Sequence, residues 1–207
     1  MNKLLTEMTP LDWVIIIMGV FAYLPLIRAM LKDKEHCAGQ NFYTWILWFF
    51  LDVILLIVTI LEKGNPISLF VFVPASCLAT IISFKYRTKM PNFEKWMSVL
   101  VFLCIIIWLT SDEYYAIIFA TISQVIAGLP ILKDTWKKPE KFITTFFPLF
   151  LFLIVHSLML LNKPELSVKN SLFSGVMLIF TIITMLPIFI EMKRQQKNKN
   201  SLKSSGD

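Results

Sequence analysis

Leu24-Pro25-Leu26, followed by Arg28 and Lys32, recurs at an offset of 105 as Leu129-Pro130-Ile131, with Lys133 and Lys137 at the matching places. Two further correspondences follow in order. At an offset of 104, Asn41, Trp45, Trp48 and Asp52 fall on Thr145, Leu149, Phe152 and His156, where the Trp48–Phe152 pair keeps its aromatic character. At an offset of 103, Ser68-Leu69-Phe70 falls on Ser171-Leu172-Phe173. An offset that shrinks by one in each intervening loop is what single-residue deletions leave in one copy of a duplicated unit.

The sequence around these matches is that of a membrane protein. Of 207 residues, 57% are hydrophobic and 16% charged, whereas soluble domains carry about a quarter charged residues. A span needs about 20 mostly apolar residues. Seven such segments are read at 11–31, 41–61, 67–84, 93–109, 114–132, 142–161 and 171–190. The first is too long for the apolar region of a signal peptide and no small-residue cleavage site follows it. The three cysteines are too few and too scattered for a disulfide framework, and no metal-ligand spacing occurs.

Lys and Arg near the ends of spans report orientation. Lys3, Lys63, Lys163 and Lys169 fall on one side, and the other sixteen of the twenty basic residues on the other. An odd number of spans is required for that split. It predicts an integral membrane protein with its N-terminus outside and its C-terminus cytoplasmic. The formal charge of +6 is thereby accounted for without a nucleic-acid partner. The tail after Glu191 is polar and basic and is expected to lack packed structure.

Three spans reverse the direction of the chain, so two copies joined directly would be inverted. One additional span makes them parallel. The fourth segment reads as that addition, since between residues 99 and 109 its only residue that is neither aliphatic nor aromatic is Cys104. The expected organisation is an extracytoplasmic N-terminus (1–10), a first three-helix repeat (11–84), a linker helix (85–109), a second repeat (110–190) and a basic cytoplasmic tail (191–207). The fold class is therefore all-α, with seven transmembrane helices forming two parallel three-helix bundles.

This plan, with Pro25 and Pro130 near the same ends of spans 1 and 5, resembles that of the SWEET and PQ-loop superfamily of membrane transporters over residues 11–190. Leu26 and Ile131 stand where PQ-loop proteins carry glutamine. Pro25, Pro130 and Pro148 match three of the four SWEET prolines, with Thr44 in place of the fourth. The resemblance implies alternating access, with the substrate bound at the midplane between the repeats.

The residues themselves point to the same region. Asp52 is the twelfth of 21 residues in its segment, where a carboxylate costs about 2.5–3.5 kcal/mol on insertion scales. Such residues face a bundle interior or a watery cavity. Asn41, Trp45, Trp48 and Asp52 share one helix face; Trp45 suits an interfacial belt equally well. Phe152 and His156 are the matching residues in span 6. An Asp and a His at one depth suit a proton relay, since imidazole titrates near neutral pH. Gln124 and Ser76 add polar groups, and Leu149 is read as packing. Substrate contacts are thus expected from Asn41, Trp45, Trp48, Asp52, Ser76, Gln124, Phe152 and His156, proton coupling from Asp52 and His156, and hinges at Pro25 and Pro130.

No phosphate-binding loop or nucleophile–base pair appears, and span 7 has no lysine for a retinal Schiff base. No enzyme activity, cofactor or metal is therefore expected. The expected partners are a small polar solute, lipid and protons; a homo-oligomer is compatible with the sequence. Two alternatives stay open: a ligand-binding receptor of the KDEL-receptor type, and a non-transporting assembly protein.

Overall fold

A computed structural model describes residues 8–32, 42–61, 69–85, 90–110, 113–162 and 168–204. Among these there are seven α-helices and no strand. They are α1 (Pro10–Lys32), α2 (Phe42–Leu61), α3 (Leu69–Phe84), α4 (Asn92–Thr110), α5 (Glu113–Lys137), α6 (Phe146–Leu161) and α7 (Val168–Ser204), with a 3-10 segment, Pro139–Thr145, ahead of α6.

Four stretches are long and apolar enough to cross a membrane: Pro10–Lys32, Asn92–Thr110, Pro139–Leu161 and Leu172–Asn198. Phe42–Ile57 and Leu69–Phe84 are shorter apolar helices. α5 interrupts its apolar sequence with Thr121, Ser123 and Gln124, all buried. Large apolar side chains cover the outside, among them Phe21, Leu24, Phe102, Leu109 and Ile182. Exposed apolar surface of this extent suits contact with lipid rather than water.

Six helices close a ring in the order α1, α3, α2, α5, α7, α6 and back to α1. α4 lies outside it, packed on α5 and more lightly on α2. If α1, α2 and α3 are exchanged with α5, α6 and α7, every neighbour pair of the ring maps onto another: α1–α3 onto α5–α7, α2–α3 onto α6–α7, and α1–α6 onto α5–α2.

Packing holds the ring where its parts meet. Ile15, Leu69, Phe72, Val155 and Met159 join α1, α3 and α6, and Leu26, Ile27, Met30, Trp45 and Ala79 join α1, α2 and α3. Leu51 and Ala127 clasp α2 to α5, with Val101 of α4 against both. Helices that meet lipid gain little by hiding apolar area from each other and are held by close van der Waals fit and interhelical hydrogen bonds. Asn162 at the end of α6 donates to Asp12 Oδ1 at the start of α1 at 2.8 Å, while Asp12 Oδ2 accepts from the backbone and hydroxyl of Thr9 at 2.8 Å each. At the opposite end Lys133 Nζ of α5 lies 4.1 Å from the centre of the Phe93 ring of α4.

Two boundaries differ from the sequence reading. The sixth segment was expected to be α-helical from residue 142, but residues 139–145 form a 3-10 turn and the α-helix begins at Phe146. Pro148 cannot donate to the carbonyl four residues back, and the Thr145 hydroxyl bonds to the Phe142 carbonyl, which tightens this turn. The expectation of an unstructured tail after Glu191 is corrected as well, because α7 continues to Ser204. Glu191, Lys193, Arg194, Gln195 and Lys197 are good helix formers, and no Gly or Pro interrupts them. Gln195 also reaches back to Glu191 at 3.2 Å.

Candidate functional site

The ring surrounds a cavity lined by side chains from all six ring helices and the 3-10 segment and none from α4. Asp52, Trp45 and Trp48 of α2 enter it, as do Ser76 of α3, Gln124 of α5, and Phe152 and His156 of α6. These are seven of the eight residues expected to contact substrate. The eighth, Asn41, lies outside the described residues.

Asp52 is buried at 7% exposure. Its Oδ1 accepts a hydrogen bond from Gln124 Nε2 at 3.0 Å, and Ser76 flanks the carboxyl. Trp48 Nε1 donates to the Gln124 backbone carbonyl at 3.0 Å. Gln124 is thus held between the two α2 side chains. Among the described residues Asp52 has no ion-pair partner, and none of those that line the cavity is Lys or Arg.

His156 is 4% exposed, and its Nδ1 is buried with no hydrogen-bond partner. No hydrogen bond joins it to Asp52; each faces the shared cavity from its own helix. At the sequence offset of 104 Asp52 falls on His156, while at the offset of 105 Gln124 falls on Gly19, which has no side chain to offer. Trp45 Nε1 is also buried without a partner. The Trp45 ring is 3% exposed and packs at 5.3 Å from Trp48, so it belongs to the ring interior and not to an interfacial belt.

Most hydroxyls at the site are already used. Ser76 donates to the Phe72 carbonyl at 2.8 Å, Thr181 to Met177 at 2.8 Å, Thr184 to Phe180 at 2.8 Å and Thr135 to Ile131 at 2.8 Å. Such bonds satisfy the donor within its own helix.

An arc of rings lines the cavity beside Asp52. Phe173 is 6.4 Å from His156, His156 6.2 Å from Phe72, Phe72 6.2 Å from Tyr23, and Tyr23 4.7 Å from Phe152, edge to face. Sequence reasoning missed Tyr23, Phe72 and the whole face of α7. That face had a signal: Met177, Phe180, Thr181 and Thr184 recur at helical spacing.

Gly128 makes room for the site. A Cβ there would stand 2.6 Å from Phe180 Cζ and 2.9 Å from Trp48 Cζ2. At the sequence offset of 105 Gly128 falls on Tyr23, whose ring packs edge to face on that of Phe152 at 4.7 Å.

Compared with family models, curated proteins and solved structures, the chain matches none.

Proposed function

We propose that this chain is a transporter that crosses the membrane seven times and moves a small polar solute through the centre of its ring by alternating access. One observation carries the reading. A buried carboxylate and a buried imidazole, neither paired with a charge among the described residues, face one cavity at the junction of two three-helix groups. Ionisable groups at such depth are costly and mark substrate or proton paths. A pure assembly protein has no need of them. The exchange symmetry of the helix neighbours and the ordered sequence matches support two parallel repeats with α4 as the linker. A substrate site between repeats, with rocking of one against the other, is the usual working of such a plan.

Orientation rests on the basic residues, which place the N-terminus outside and Lys137 on the cytoplasmic side. A Lys163→Cys variant in intact cells is expected to react with an impermeant maleimide added from outside, and a Lys137→Cys variant is not. The reverse pattern would overturn the topology.

Pro25 and Pro130 each sit inside a continuous helix, α1 and α5. Each removes one backbone hydrogen bond and leaves a place where the helix can bend. In proteoliposomes given a panel of small metabolites, the wild-type protein is expected to show saturable uptake. Pro25→Ala and Pro130→Ala are expected to slow it severalfold while thermal stability in detergent stays within a few degrees of wild type. Absence of saturable uptake would remove the transporter reading, and normal rates in both variants would remove the hinges.

A further inference from the structure

The cavity wall offers an uncommon balance of groups. Among the described lining residues Asp52 is the one carboxylate, and none of them is a Lys or Arg that would compensate it. A buried charge without a partner is strongly disfavoured, and the amide of Gln124 supplies a hydrogen bond but no charge. The same cavity is lined by the arc of Tyr23, Phe72, Phe152 and Phe173, with His156 among them. Ring faces attract a cation within about 6 Å of their centres, each by about 0.5–2 kcal/mol, more when water is excluded. Tyr23 stands at the join of the two features, within electrostatic reach of Asp52 and in contact with Phe72 and Phe152.

The same inventory disfavours other solutes. A sugar presents many hydroxyls and needs many free donors and acceptors. Here the hydroxyls of Ser76, Thr135, Thr181 and Thr184 already bond to their own helices. Trp45 Nε1 and His156 Nδ1 are buried there with no hydrogen-bond partner. An anion, or the carboxylate of a zwitterionic amino acid, needs a cationic group, and none is found among the described lining residues.

We infer that the ring cavity is a binding site for a small organic cation, with Asp52 as its counter-charge and the Tyr23–Phe72–Phe152–Phe173 arc as the cage for its apolar or methylated body. The Trp45 N–H and His156 Nδ1 are left for a hydroxyl or other polar group on the same molecule. The inference deepens the transporter reading and rests on it for the cavity's purpose, but its test needs binding only.

Purified protein in detergent is titrated with choline and phenethylamine, each beside an uncharged isostere, dimethylbutanol and phenethyl alcohol, and with glucose and alanine. The expected result is saturable binding of at least one cation and at least tenfold weaker binding of its isostere, glucose and alanine. A hydrogen-bonded charge is worth about 1.5–3 kcal/mol, so Asp52→Asn should weaken the cation by about 10- to 150-fold. Phe152→Leu keeps apolar bulk but removes a ring face, and should weaken it by about 2- to 30-fold. Circular dichroism and monodispersity confirm that both variants are folded; if Asp52→Asn fails this check, Phe152→Leu decides. Failure of both cations to bind, equal binding of an isostere, or an unchanged affinity in a folded Asp52→Asn variant each overturns the proposal. Cation binding without uptake in proteoliposomes would leave this inference standing and remove the transporter reading.

Discussion

Asp52→Asn is expected to fold like the wild type and to abolish the pH dependence of uptake. Asparagine keeps the shape of the side chain, and its carbonyl can accept the Gln124 amide bond that Asp52 Oδ1 accepts at 3.0 Å. The substitution therefore removes titration and charge while retaining the interhelical tie between α2 and α5. Replacing a buried charge with a neutral isostere commonly leaves stability unchanged or improves it. Transport should respond differently. A carboxylate attracts a cation only when ionised, so uptake of a cation by the wild type should rise with pH as Asp52 loses its proton. One side chain would then hold either the proton or the solute, and the variant would lose that competition. Uptake measured across pH 5 to 8 in proteoliposomes, with internal pH matched, gives the comparison. An unchanged profile in the variant would show that Asp52 is a structural group and not the coupling residue.

The second large effect is expected at Gly128, where the added methyl of alanine would meet Phe180 at 2.6 Å and Trp48 at 2.9 Å. Both are rigid rings in a packed interior, so they must move together. Overpacking of this kind costs about 1–3 kcal/mol. Moving Trp48 also strains its bond to the Gln124 carbonyl, and through Gln124 the amide that holds Asp52. Gly128→Ala should therefore lower thermal stability and reduce uptake by more than the loss of folded protein explains. Trp48→Phe, which substitutes a smaller ring, should restore part of the stability when combined with Gly128→Ala. A double-mutant cycle reads that coupling directly, and additive effects would show that the Trp48–Gly128 contact does not position the site.

Helix placement was legible because apolar length is written in composition. The segments read at 11–31, 93–109 and 114–132 correspond to helices Pro10–Lys32, Asn92–Thr110 and Glu113–Lys137. Trp48, Asp52, Phe152 and His156 were found because polar and indole groups stand out in apolar helices at regular spacing, and all four enter the cavity. Tyr23, Phe72 and Phe173 were missed for the complementary reason: an aromatic ring in an apolar helix looks the same whether it faces lipid or a cavity. Phe21, two residues from Tyr23, points outward at 56% exposure. The separation of Asp52 from His156 was also hidden, since equal depth in two helices says nothing about which groups bond. The continuation of α7 past Glu191 was overlooked because charge was read as disorder, although Glu, Lys, Arg and Gln favour helix once a preceding turn exists to extend.

The two seams that close the ring join residues far apart in the chain. Gln124 reaches Asp52 across 72 positions, and Asn162 reaches Asp12 across 150. Ribosomes add about 5–20 residues per second, so Asp52 is made seconds before its amide partner exists, and Asp12 waits longer for Asn162. In the transporter proposed above, both carboxylates of the first half would therefore need shelter until the second half of the chain arrives.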